Sequence, residues 1–280
     1  FCGTDYELMR MGREGELSSK FPPGRQRLIN GHEGVVWVPS QKRYVIVLIR
    51  GGDSCDPTRF EDDETYFEYG CDQADGLMSY EGYYHPDMLL EIPAGCLKPG
   101  EKITRTLAKR LTFADPFACM LFQKERLEDL LVGHNWRVYA ARGLSKEQAG
   151  KKAVEEGFGK IVLYGLGTTT MLAAIIIAQD YPAAQIVAVG RSNPENEKVH
   201  FLRRWPNIQY VQTEDLPAKT SRRIESILGG KPKIFIGASG NGIEAEIAFK
   251  ERLLSNNGIY AGFSLGPVIS YDSMPFGFKN

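Results

Sequence analysis

Beyond residue 160, short apolar runs alternate with longer stretches of helical periodicity. The runs 160–164, 185–189, 208–213, 233–237 and 258–265 predict strands, and 169–180, 195–204, 221–228 and 243–255 predict the helices between them. Each strand is apolar nearly throughout instead of alternating, as in a doubly wound parallel sheet whose two faces are both covered by helices. Just upstream, Ser145 and Gln148 form the pattern of a capping box, with a helix running from there to near Gly157. Residues 101–131 also carry a helical pattern. The first 95 or so residues have another texture, rich in Gly, Pro, Tyr and Phe, with runs at 34–38 and 44–49 set between turn-forming residues. That texture predicts a β-rich domain. Residues 53–75 combine many carboxylates and aromatics with little periodicity and predict an exposed loop. The class is α/β, with a β-rich domain followed by a parallel sheet; no internal repeat is visible.

Composition narrows the partners. At 280 residues and 42% hydrophobic, the chain can bury a substantial core in two modest domains or one large one. Its 34 Lys plus Arg nearly balance its 35 Asp plus Glu, so charge gives no reason to expect nucleic acid or a membrane surface; a small-molecule ligand is expected. No apolar run reaches the roughly 18–20 residues that cross a bilayer, and the start lacks a signal peptide. Five irregularly spaced cysteines do not form a disulfide framework, which favours a reducing cytoplasm. The chain opens at Phe1 and not Met, in keeping with a piece of a longer protein.

Gly165-Leu166-Gly167-Thr168-Thr169-Thr170 stands directly after the first of the parallel strands and opens an apolar helix. In a dinucleotide-binding turn the first two glycines allow a tight bend and close approach of the pyrophosphate, whose charge meets the helix N-terminus. Thr170 replaces the third glycine. An acidic residue at the end of the next strand would bind the ribose hydroxyls of NAD. This strand ends instead in Gly190-Arg191-Ser192, where a glycine leaves room and Arg191 and Ser192 can bind a 2′-phosphate, so NADP is expected over NAD. Ser239, and the Gly262-Phe263-Ser264 backbone beside the nicotinamide, complete the expected nucleotide contacts.

The remaining chemistry lies in Phe1-Cys2-Gly3-Thr4-Asp5, Gly31-His32-Glu33-Gly34 and Ala114-Asp115-Pro116. Thiolate, imidazole and carboxylate suit zinc, and a catalytic zinc keeps one position open. These segments resemble those of the zinc-containing medium-chain dehydrogenases, most of all the glucose, sorbitol and threonine dehydrogenase branch. The likeness runs from Phe1 to Pro267, specific over the first 33 residues and looser beyond. It implies a GroES-like catalytic domain over 1–144, its N-terminus apparently truncated, a Rossmann domain over 145–270, and a return towards the catalytic domain from 271 to 280. It also implies that Cys2, His32, Glu33 and Asp115 hold one catalytic zinc, Glu33 directly or through water. Thr4 relays the alcohol proton, Asp5 orients the zinc-binding histidine, and Glu68 lies near the substrate. Where the family often places a structural zinc, residues 50–57 retain only Cys55, so no second zinc is expected, and Cys71, Cys96 and Cys119 are expected to be buried or inert. The resemblance implies homodimers or homotetramers joined near 258–265.

The function expected is reversible oxidation of an alcohol on a polyol, sugar or aminocyclitol with NADP. The alternatives are a zinc lyase or epimerase on the same fold, and a nucleotide-binding homologue that has lost catalysis.

Overall fold

The computed structural model describes residues 31, 33–47, 50–51, 67–68, 76–84, 86–98, 100–214, 216–239 and 242–263. The chain divides into two compact units, Phe1–Pro116 and Phe117–Asn280.

In the first unit β1 (Gly34–Val38) pairs antiparallel with β2 (Arg43–Val47), which pairs antiparallel with β5 (Leu89–Glu91). The short strands β3 (Arg50–Gly51) and β4 (Phe67–Glu68) form a separate antiparallel pair. Val45, Ile46 and Val47 are buried, and Val47 with Met88 gathers Val36, Leu77, Tyr84 and Leu89 into a small core. The expected β-rich texture is therefore present. The predicted helix at 101–131 is two helices, α1 (Arg105–Leu111), whose Thr104 hydroxyl accepts from the Leu107 amide, and α2 (Ala114–Ala140).

In the second unit five parallel strands lie in the order β10-β9-β6-β7-β8. They are β6 (Lys160–Tyr164), β7 (Gln185–Gly190), β8 (Ile208–Gln212), β9 (Ile234–Gly237) and β10 (Ile259–Gly262). Between them run α4 (Thr168–Asp180), α5 (Glu197–Leu202), α6 (Pro217–Leu228) and a final helix that begins as α7 (Ile243–Ala245) and continues with π geometry over Glu246–Lys250. The chain order folds outward from β6 in both directions, which makes the gap between β6 and β9 the topological switch point.

Alternate side chains of β6 enter different cores, as the apolar strand pattern requires. Ile161 and Leu163 join Met120, Leu127, Leu131, Ile177 and Leu202 on one face; Val162 and Tyr164 join Ile224, Leu228, Phe235 and Ile247 on the other. Because Met120, Leu127 and Leu131 belong to the first of these cores, most of α2 packs with the parallel sheet. The division by packing falls after Pro116, within the first turn of this helix; the resemblance led to an expected domain boundary at 144/145. Next in the chain comes α3 (Lys146–Gly157), which carries both hydrogen bonds of the expected capping box, Gln148 N–H to Ser145 Oγ and Ser145 N–H to Gln148 Oε1.

Candidate functional site

The glycines around His32 have a packing reason. Gly31 has φ +112°, and a Cβ there would sit 2.9 Å from the Met78 amide nitrogen; a Cβ on Gly34 would sit 2.6 Å from Leu77 Cδ2. The Leu77 amide donates to the Gly31 carbonyl at 3.1 Å. Gly31 and Gly34 are thus pressed against the 77–78 segment, and a side chain on either would push the two apart. Glu33 is half-buried, and so is Asp115 in the first turn of α2. Cys2, Thr4, Asp5 and His32 lie outside the described residues. Glu68 is described by its backbone alone, paired with Arg50. Among the described residues no three His, Cys, Asp or Glu side chains are placed to hold a metal ion. Of the cysteines expected to be buried or inert, Cys96 is exposed, Cys119 packs half-buried on the sheet core, and Cys71 lies outside the described residues.

The residues expected to contact a nucleotide lie, where described, at the C-terminal ends of the parallel strands; Ser264 is outside the described residues. Tyr164, Gly237 and Gly262 stand in one row of the ladder, and the chain turns away just beyond each of them. The Gly165 amide donates to Val189 O at 2.8 Å, the Ala238 amide to Tyr164 O at 2.9 Å, and the Phe263 amide to Gly237 O at 2.7 Å. Gly165 has φ +111°, and a Cβ on it would lie 3.3 Å from the Ala238 carbonyl group, so this bend requires glycine. Gly167 caps α4 without any side-chain hydrogen bond, is exposed, and would meet nothing within 4 Å if given a Cβ. The first turn of α4 is therefore open to an anion, on a helix long enough for its dipole to count. Thr168 is exposed and Thr169 half-buried. Thr170, in the third glycine's place, is 2% exposed, and its Oγ1 has no hydrogen-bond partner among the described residues.

At the end of β7 the Tyr210 hydroxyl lies 2.8 Å from Gly190 O and 2.6 Å from Ser192 O, which braces the Gly190-Arg191-Ser192 turn from below. Arg191 is exposed and Ser192 half-buried. The role expected of Gly190 needs correcting: it is buried, and a Cβ there would sit 3.0 Å from Leu166 Cγ. Its missing side chain makes room for Leu166 of the glycine-rich turn and not directly for a phosphate. Three residues escaped the sequence reading. Lys198, on α5, places its ammonium 3.1 Å from Leu166 O and so adds a cation beside the turn; a lysine on a helix surface carries no sequence signal for this. Tyr210 sits in a strand whose apolar pattern hides a bracing hydroxyl. Glu244, 2% exposed, accepts from the Ser239 amide at 2.9 Å and from the Ser239 hydroxyl. Its position in a first helical turn reads as ordinary capping.

Burial, with the Glu244 carboxylate adding to it, pushes the Tyr164 phenol up to about 12, against an opposing pull from Arg191. Tyr164 therefore remains protonated at neutral pH and is a core side chain. It is not a base.

No family model and no curated protein matches the chain. Solved structures do. A mutant of glucose dehydrogenase from Haloferax mediterranei is matched over 99% of this chain and 70% of its own at 19% identity and a TM-score of 0.68. A complex of that enzyme with NADP, Zn and gluconolactone is matched at 19% identity and a TM-score of 0.65, over the same shares of the two chains. Zinc-dependent alcohol dehydrogenase 2 from Streptococcus pneumonia is matched over 100% of this chain and 70% of its own at 15% identity and a TM-score of 0.61. At such identities the likeness establishes the fold and not the activity: the chain is built on the GroES-like and Rossmann architecture of the zinc-dependent medium-chain alcohol and sugar dehydrogenases.

Proposed function

We propose that the chain is a zinc-dependent, NADP-preferring dehydrogenase that reversibly oxidises an alcohol of a polyol, sugar or aminocyclitol. The observation that carries this reading is the joint presence of an open glycine-rich turn at the switch point and of Gly190-Arg191, with no carboxylate, at the end of the neighbouring β7. The open helix end and the exposed Arg191 and Lys198 fit the pyrophosphate and adenosine-phosphate end of NADP. The donor set Cys2, His32, Glu33 and Asp115 fits zinc in its mixture of soft and hard ligands.

When bound, zinc supplies a Lewis acid that makes the substrate hydroxyl more acidic, and NADP supplies the hydride acceptor. In this reading the Thr4 hydroxyl accepts the proton of the substrate alcohol and passes it towards solvent. Asp5 holds the His32 ring in the tautomer that ligates. Glu68 hydrogen-bonds a second polar group of the substrate, which is why a polar alcohol is favoured. β10, at an edge of the sheet, supports a homodimer or homotetramer joined through it. A reducing cytoplasm suits the exposed thiol of Cys96.

Arg191→Asp tests the cofactor part. Fluorescence titration should show the native chain binding NADPH more tightly than NADH. The variant should lose about tenfold or more of its NADPH affinity, since a charge-assisted contact is replaced by repulsion, with NADH binding little changed. Equal affinities for the two nucleotides in the native chain would refute the NADP preference.

A further inference from the structure

Glu244 is a buried carboxylate that the proposed chemistry does not use. Its Oε2 receives both donors of Ser239, the backbone amide at 2.9 Å and the hydroxyl. Its carboxyl carbon and Oε1 lie 3.0 Å from the point where a Cβ on Gly237 would stand, and the Tyr260 hydroxyl lies 2.6 Å from that same point. The Tyr260 hydroxyl and the Glu244 carboxyl group thus together fill the side-chain space of Gly237 at the end of β9. The same Gly237 accepts from the Phe263 amide at 2.7 Å, which ties the end of β10 to the end of β9.

The layout of the crevice says which half of a dinucleotide this concerns. The pyrophosphate turn follows β6 and the Arg191 turn follows β7, so the adenosine end lies on that side of the switch point. The other half must extend across the ends of β9 and β10, over Ser239 and Phe263. Glu244 lies at the end of β9, on that half's side of the switch point.

We infer that Glu244 is a positioning residue for the nicotinamide half of the nucleotide, acting by clamping Ser239 at the end of β9. The inference rests on the nucleotide-binding reading above. The influence of the Glu244 carboxylate on the Tyr164 phenol, on the neighbouring strand, agrees with its place at the crevice floor.

The test uses the whole chain and two probes, NADPH and adenosine 2′,5′-bisphosphate, which carries only the adenosine end. Glu244→Ala should weaken NADPH binding by about tenfold or more, the scale of a lost hydrogen bond to a charged group, and leave the bisphosphate affinity unchanged. Glu244→Gln, which keeps an acceptor oxygen, should restore most of the NADPH affinity. Ser239→Ala, which removes only the hydroxyl donor, should shift NADPH binding in the same direction by less, and it carries the test if Glu244→Ala does not fold. Native-like NADPH binding in Glu244→Ala, or in Ser239→Ala where it stands in, would overturn the inference, as would a parallel loss of both probes. If the native chain binds neither probe, the nucleotide-binding reading itself fails and the inference with it.

Discussion

Cys2→Ser is expected to lose its zinc and to reduce NADP at least about 100-fold more slowly than the native chain, while nucleotide affinity stays unchanged. The proposed site has one thiolate among its ligands, and serine at neutral pH offers a neutral hydroxyl in its place. Loss of a group that merely supports a metal ligand already costs about 10–100-fold, so loss of a ligand should cost more. The nucleotide turn belongs to the other compact unit, which is why its affinity should survive. Metal content by elemental analysis and turnover, measured on the same preparation, check both halves. A variant that kept zinc and rate would remove Cys2 from the site.

Gly165→Val should have the reverse pattern: zinc retained, nucleotide binding lost. With φ at +111°, this position is closed to a β-branched residue, and the first side-chain carbon alone would already stand 3.3 Å from the Ala238 carbonyl and 3.4 Å from Thr170 Oγ1. Backbone strain of about 1–3 kcal/mol and overpacking of a similar size are both expected. The turn relieves them by moving away from Ala238, which disrupts the surface the pyrophosphate would meet. Thermal unfolding should fall by several degrees and NADPH titration should show a loss of well over about tenfold. Native affinity with an unchanged melting point would mean that the turn tolerates a side chain and that its glycine has no role in the bend.

The strand and helix succession was legible because both faces of the sheet are buried, so each strand is a continuous apolar run and each helix a periodic one. Errors gather at the ends, where local signals were overlooked or missing. Pro217 opens α6 four residues ahead of the predicted start, a usual place for proline whose signal was in the sequence. Asn196 caps α5 through the Lys198 amide at 3.0 Å, so the helix begins after it and not at Glu195. The last helix was predicted through 255, but it ends by Lys250, where Arg252 adopts φ +54° and the Leu254 amide reaches Ala248 O at 3.1 Å. A left-handed arginine gives no warning, since such stops usually advertise themselves with glycine.

The candidate site divides along the same line. The turn around Gly165 was legible because backbone geometry demands glycine there, and a demand of that kind is written into residue identity. Gly190 was noticed for a related reason but given the wrong neighbour, because Leu166 comes close only through the fold. Lys198, Tyr210 and Glu244 act through contacts across 32, 20 and 5 residues of chain, respectively, and no local pattern distinguishes them from a surface lysine, a strand tyrosine and a capping glutamate. The zinc residues rest on motif resemblance alone; the structure gives Gly31 and Gly34 a packing reason against Leu77 and Met78, and Cys2 and His32 lie outside the described residues.

The proposed function requires zinc-assisted hydride transfer to NADP on this fold. Its most direct test is the near-ultraviolet absorbance of NADPH when the zinc-loaded chain is offered NADP and a panel of sugars, polyols and amino alcohols. NADPH formation is expected with at least one polar alcohol, abolished by chelation and restored by added zinc. Tight nucleotide binding with zinc in place, and no NADPH formed from any alcohol in the panel, would contradict it.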